Sequence, residues 1–186
     1  MRCTHRTLLT AIALTGGAFA GALGTAAAAG GGPGDLATGS ALNQFPTPAG
    51  PGSARLSVAA HSDASGLDPH GNVHAIGTAT GAPMGDFEVQ GPVTCLRVDG
   101  NRAAIKYRFK RATGSAAMFQ GGGVEVFVKD NGEPRRGQPV DANASQLPQP
   151  AGAFDANASQ CDDPNTAAYD TVTSGNYVVR DRAARP

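Results

Sequence analysis

The chain has no tryptophan, no aspartate or glutamate before Asp35, almost no helical periodicity and no G-x-S-x-G nucleophile motif. Beyond the N-terminal region it also lacks any apolar run near the ~20 residues that a membrane-spanning helix needs. Each absence removes a class. Without large rings the core is small, and the 26 glycines and 13 prolines imply many turns. Without acids at its start, the segment from Arg2 and Arg6 through the apolar stretch Thr7–Ala20 to "GTAAAAGG" reads as a secretory signal peptide, residues 1–29, with small residues Ala27 and Ala29 at the expected cut. No cysteine follows that apolar run, so no lipid anchor is expected. Gly16, Gly17, Gly21 and Gly24 argue against an uncleaved anchor, and the expected location is secreted, extracellular, with no membrane span after cleavage.

Loss of Arg2 and Arg6 from the 15 basic residues leaves 13 against 15 acidic ones, a formal charge of −2. A molecule of that balance has no overall attraction for nucleic acid or an anionic membrane. Residues 30–53, "GGGPGDLATGSALNQFPTPAGPG" with its flanks, carry Pro33, Pro46, Pro48 and Pro51 and little apolar patterning; they read as a flexible, disordered leader. A single domain is expected over 54–182.

Within it, "ARLSVAAHS", "NVHAIGTAT", "GDFEVQGPVTCLRV", "RAAIKYRFKRA", "GGVEVFVKD" and "GNYVVRD" alternate apolar with polar residues between turn residues, the period of half-buried strands. Asp99-Gly100-Asn101 and Asp130-Asn131-Gly132 supply the residues that turns with positive φ require. The fold class expected is all-β, a small antiparallel sandwich or barrel. In the clearest strand Ile105, Tyr107 and Phe109 face the core and Lys106, Arg108 and Lys110 face water. Arg102 continues that basic row, a stripe able to hold an anionic envelope polymer, or simply a wet face whose lysines discourage edge pairing.

Residues 133–164 form a long Pro-rich loop containing the hexapeptide DANASQ twice, from Asp141 and from Asp155. The copies alternate Asp, Asn and Ser as calcium loops do, but Gln146 and Gln160 stand where such loops want Gly, and Gly152 and Thr166 where they want Glu. Each copy holds an N-x-S sequon, at Asn143 and Asn157, meaningful only in a glycosylating cell. Cys3 departs with the signal peptide, leaving Cys95 and Cys161 as an even pair in an oxidising compartment, which reads as a disulfide rather than a catalytic thiol.

His61, His70 and His74 lie close in sequence with Asp63 and Asp68; a surface zinc or copper site is one reading and polar residues around a hairpin the other. Three histidines cannot furnish the bimetal site of the copper-zinc superoxide dismutases, which "HGNVHAIG" faintly suggests. Asp86 and Glu88 alternate with Phe87 and Val89 as solvent-facing carboxylates do, and Ser115 has no base in its own segment.

"GPVTCLRVDGNRAAI", "VFVKDNGEP", a second cysteine and "TSGNYVVRD" together resemble a loosely defined group of secreted β-domains of high-GC bacteria, some labelled post-COAP domains of cell-surface proteins. The resemblance covers roughly 54–182, most sharply 91–105, and implies a fold and a location but no reaction. The expected function is therefore a non-enzymatic extracellular or envelope-associated binding or structural module, without a cofactor, with a cell-wall polymer or surface protein as partner. The alternatives are a metal-binding protein or hydrolase using the histidines, or a protease inhibitor presenting the 133–160 loop.

Overall fold

The alternation at residues 105–109 belongs to one strand of a much larger antiparallel sheet. The computed structural model describes residues 34–47, 50–63, 67–78, 85–133, 140–154 and 160–182; the expected signal peptide and its cleavage site lie outside the described residues. In chain order the strands are β1 (Leu36–Thr47), β2 (Gly50–His61), β3 (His70–Thr78), β4 (Asp86–Asp99), β5 (Arg102–Arg108), β6 (Arg111–Gly114), β7 (Gly123–Lys129), β8 (Ala142–Ser145), β9 (Asp170–Thr171) and β10 (Ser174–Arg180). The order across the sheet is β10-β1-β2-β3-β4-β5-β7-β8-β9, with β6 also paired to β4. The fold is all-β as expected, and the sheet curls strongly into a half-barrel.

The main core is mostly aliphatic and lies on one side of the sheet. Ile105, Tyr107 and Phe109 are buried there with Val73, Val98, Val128 and Tyr177, so the inward half of the β5 alternation holds. The rings of Tyr107 and Phe109 meet edge to face with centroids 5.3 Å apart, a geometry that aromatic quadrupoles favour. Burial raises the Tyr107 phenol far above its ordinary pKa, which keeps it neutral.

β4 is long enough to serve two partners. Phe87–Gln90 pair with β6, Val93–Asp99 pair with β5, and the register shifts between Val93 and Cys95. Gly91 stands at this fork, where a Cβ would sit 1.7 Å from the carbonyl oxygen of Arg108. Only glycine lets the two backbones approach so closely.

The first correction to the sequence reading is the leader. Residues 36–47 form β1, hydrogen-bonded to β10 on one side and β2 on the other, so the ordered sheet starts well before Ala54. The inward residues of β1 are Ala37, Gly39 and Ala41, too small to announce an apolar face, yet Ala37 and Ala41 are fully buried. A Cβ on Gly39 would meet the carbonyl oxygen of Asn176 at 2.2 Å. Small residues here are what allow β1 to lie against β10. Pro46 and Pro51 oppose one another at the hairpin tip, beyond Leu42 where the β10 pairing stops, so their missing N–H groups interrupt only a two-stranded ribbon.

The second correction is the Pro-rich loop. Ala142–Ser145, from the first DANASQ copy, pairs with β7 and β9. Asp141 is buried and uses its carboxylate on backbone: Oδ1 accepts from Asn131 N at 2.8 Å and Oδ2 from Tyr177 N. Asn143 Nδ2 donates to Tyr177 Oη at 3.0 Å, and Tyr177 Oη donates to the Leu56 carbonyl at 3.2 Å. Val179 N donates to Asp130 Oδ2 at 3.0 Å. The side of β10 away from β1 is thus held by carboxylates, where a further strand would otherwise pair. The Asp141 carboxylate and the Asn143 amide, which suggested a calcium loop, close this seam instead. Residues 134–139 and 155–159, including Asn157, lie outside the described residues.

Candidate functional site

β7 reads Gly-Val-Glu-Val-Phe-Val-Lys, and every residue from Gly123 to Val128 is buried. Val124, Val126 and Val128 point into the core; Glu125 and Phe127 point to the opposite side of the sheet. That side was expected to be wet. It is covered instead by residues 160–169, which cross the outer face of β4, β5 and β7 as a strap.

The strap has a covalent anchor and a row of polar ones. Cys161 is bonded to Cys95, with Cα atoms 5.8 Å apart, inside the usual span. The pairing expected from the cysteine count is present. Around it Cys95, Ala104, Phe127 and Cys161 form a small apolar cluster, joined by Ala144, Ala167 and Tyr169. Lys106 Nζ donates to the Gln160 carbonyl at 2.7 Å, Asp162 N donates to Glu125 Oε1 at 2.8 Å, and Arg97 lies 3.6 Å from Asp163. Asn165 bridges Asp99, to which its Nδ2 donates at 2.7 Å, and Arg102, whose Nη1 donates to its Oδ1. The Asn165 backbone amide caps Asp163 Oδ1, and that hydrogen bond holds the Asp163 carboxyl below the ordinary carboxylate range.

The expected basic row is therefore divided. Arg102 and Lys106 are engaged by the strap, and the Lys106 side chain is only 18% exposed. Arg108 and Lys110 remain exposed, and neither forms an ion pair among the described residues. They stand at the sheet fork beside exposed Arg111 of β6, which lies 3.4 Å from Glu88. Asp86 and Glu88 do not face the row: Asp86 accepts from Thr78 Oγ1 at 2.7 Å, and Glu88 contacts Arg111 and, at 3.1 Å, His74 Nε2.

The three histidines do not converge. His61 and His70 oppose each other in the β2–β3 register with ring centroids 5.0 Å apart. His74 is four residues further along β3, roughly 13 Å away at ~3.3 Å per residue, and turns to Glu88. Among the described residues no group of three or more His, Cys, Asp or Glu side chains is placed to hold a metal ion. The open groove near them, about 570 Å³ and crossing β1 to β4 and β6, is lined by Leu42, Arg55, Ile76, Glu88 and Thr113 among others.

Beside the strap lies a cavity of about 260 Å³ between β5, β7 and the 146–154 segment. Its polar lining is Lys106, Glu125, Gln146, Gln149 and Asp162; its apolar lining is Val124, Leu147, Ala153 and Phe154. Glu125 is 2% exposed, and its Oε2 receives no hydrogen bond, with Lys106 Nζ at 3.6 Å. Burial raises the Glu125 carboxyl above its ordinary value, opposed by the Asp162 amide and the Lys106 charge. Glu125 alternates with Val124 and Val126 as a solvent-facing residue of a half-buried strand would, yet it is buried. The signal that exposes its burial is Phe127 on the same face, together with Lys106 directly across the ladder.

A carboxyl whose folded pKa is raised is protonated more readily in the folded chain, so its contribution favours folding at low pH and weakens as pH rises above about 4.5. Glu125→Gln keeps an acceptor for Asp162 N and removes the titration. Urea unfolding of the two proteins from pH 4 to 8 should show the variant gaining stability relative to wild type as pH rises. A constant difference across that range would mean Glu125 titrates normally.

Among the described residues no helix is long and apolar enough to cross a membrane. The chain matches no family model, no curated protein and no solved structure.

Proposed function

We propose that this chain is an exported β-domain that binds an anionic polymer of the cell envelope and holds it at the fork of the sheet. The observation that carries this reading is exposed Arg108, at the end of β5, and exposed Lys110, in the link to β6, neither in an ion pair among the described residues, with exposed Arg111 of β6 beside them and paired with Glu88. Local field, rather than net charge, governs such association. The disulfide between Cys95 and Cys161 supports an oxidising, extracytoplasmic setting. A binding or structural role agrees with the sequence resemblance to secreted surface domains and needs no cofactor.

Retention of the purified protein on isolated cell walls tests it. Binding at low ionic strength should fall steeply toward ~0.15 M salt, where the Debye length is about 8 Å. Replacing Arg108, Lys110 and Arg111 together with Gln should abolish retention and leave the melting temperature nearly unchanged, because all three side chains are exposed. Retention that ignores salt, or survives the triple replacement, overturns the proposal.

A further inference from the structure

The link between β2 and β3 carries an inference separate from the basic fork. We propose that the Asp68–Pro69 peptide bond is a self-cleaving site, cut by the Asp68 carboxylate with His70 as the acid. An aspartate side chain reaches its own carbonyl carbon through a five-membered ring, so the attack is intramolecular and needs no bound cosubstrate. Three observations bring that chemistry to Asp68. His70 Nδ1 lies 3.0 Å from the Asp68 carbonyl oxygen. A carbonyl oxygen only accepts, so Nδ1 carries the hydrogen and directs it at the bond to be cut. No ion pair or hydrogen bond among the described residues engages the Asp68 carboxylate, which leaves it able to rotate onto the carbonyl carbon. Asp68 is also the one non-glycine residue among those described with a positive φ, 51°, in a region that few side chains adopt, although a following proline pushes a residue toward extended backbone. Cutting the bond releases that strain. Asp68 and His70 are both exposed, so water reaches them.

The steps balance with water as the sole added reagent. A carboxylate oxygen of Asp68 bonds to the Asp68 carbonyl carbon, and His70 Nδ1–H holds the oxyanion that forms. The carbon–nitrogen bond to Pro69 then breaks, its electron pair goes to the proline nitrogen, and that nitrogen takes the proton of the His70 imidazolium. The cyclic anhydride left on Asp68 adds water and opens to two carboxyl groups. Carboxylate and imidazolium are needed together, so the rate should peak in mild acid, about pH 5, and fall on either side. The other titratable or charged groups around the imidazole are His61, Asp63 and Arg180. His61 is opposite in the ladder with ring centroids 5.0 Å apart, Asp63 Oδ1 accepts from Leu67 N, and Arg180 lies on the cross-strand row through Leu36 and His61.

The second Asp-Pro bond of the sequence, Asp163–Pro164, is a comparison within the same molecule. Asp163 has φ −69° and ψ 116°, the extended backbone that proline favours. Its Oδ1 accepts from Asn165 N and Nδ2, both at 3.0 Å, and its Oδ2 faces Arg97. Its carbonyl accepts from Thr166 N and Oγ1, neutral donors with no proton to give up. That bond should stay whole while Asp68–Pro69 is cut. Both bonded cysteines follow Pro69 in the chain, so no covalent link joins the two products; β1 and β2 stay paired with β10 and β3 until denaturant parts them.

The test incubates the full chain, disulfide intact, from about pH 3 to 8 and follows it by mass spectrometry and by denaturing electrophoresis without reduction. The expected result is two fragments, one ending at Asp68 and one starting at Pro69, formed fastest near about pH 5 and at least about tenfold faster than any cut at Asp163–Pro164. Asp68→Gly, which accepts the positive φ and lacks the carboxylate, should abolish the cut. His70→Gln keeps a donor for the carbonyl but has no proton to deliver; it should slow cleavage by about 10²-fold and leave no peak near that pH. Hydroxylamine present during incubation should appear as a hydroxamate on Asp68, which marks the anhydride. No fragment at any pH, equal cutting of the two Asp-Pro bonds, a rate that only climbs toward the acid end, an unchanged rate in His70→Gln, or no hydroxamate overturns the assignment.

Discussion

Phe109→Ala should lower the free energy of unfolding by about 3–5 kcal/mol, the range for truncation of a fully buried ring. Phe109 is 1% exposed and sits where the sheet divides, just past β5 and two residues before β6. Its ring packs edge to face on Tyr107, and its backbone is fixed on both sides: N donates to the Gly122 carbonyl at 2.8 Å and O accepts from Gly121 N at 3.0 Å. The walls of the resulting void are strands tied into ladders, so they cannot collapse to refill it, which places the loss toward the upper end of the range. Total stabilities of domains are about 5–15 kcal/mol, so the loss is a large share of the whole. Leu147→Ala, at an 86% exposed site, should change stability by less than ~0.5 kcal/mol. Urea midpoints of the two variants measure the contrast. A Phe109→Ala midpoint equal to that of the parent would mean the ring does not fill the core at the fork.

β5 was legible because its core face bears large residues and its other face bears charge, a contrast that survives without any knowledge of partners. β1 was not legible for the opposite reason. Its inward Ala37, Gly39 and Ala41 have almost no hydrophobic contrast with Thr38 and Ser40, and the strand that pairs with it, β10, is far away in the chain, with Leu36 opposite Arg180. Close backbone approach, rather than a bulky apolar face, makes that strand. β8 was hidden by the prolines that flank it, Pro139 and Pro148, and by a repeat that drew attention to calcium, although Asp141 and Asn143 act on the backbone and side chain of Tyr177.

The outward side of β5 shows a subtler limit. Alternation assigned Arg102, Lys106, Arg108 and Lys110 to one side, but parity does not say what covers that side, and Arg102 and Lys106 are engaged by residues 160–165. The covering segment joins Lys106 from 54 residues away, and no local pattern announces it. The cysteine pair did announce it indirectly. Once Cys95 is placed on the same side as Lys106, its partner must bring chain across that side, and the basic row cannot all be in water. β7 gave a second hint, since a strand with Val on one side and Phe127 on the other is apolar on both, as expected of a strand buried on both faces.

Replacing both Cys95 and Cys161 with Ser should cost about 2–5 kcal/mol, with roughly 4 kcal/mol expected from chain entropy for a closure spanning 66 residues. The loss should be unevenly distributed. The main core is separate from the cluster around the disulfide and contains Ile105, Tyr107, Val126 and Val128, so the sheet should keep its far-ultraviolet signature. The strap retains the Lys106 and Glu125 hydrogen bonds, the Gln146–Asp162 hydrogen bond, the Asn165 bridge and the exposed Arg97–Asp163 pair, and surface ion pairs contribute little. Its Asp162 amide, which is protected by Glu125 Oε1, should exchange with solvent far faster, while amides of β5 lose protection only in proportion to the fall in global stability. Opening would also lay bare Ala104 and Phe127, so the double variant should bind a hydrophobic dye that the parent does not. Equal unfolding midpoints in the two proteins would show that the disulfide adds nothing to stability, and equal acceleration of exchange at Asp162 and β5 would show that the strap and the sheet open as one unit.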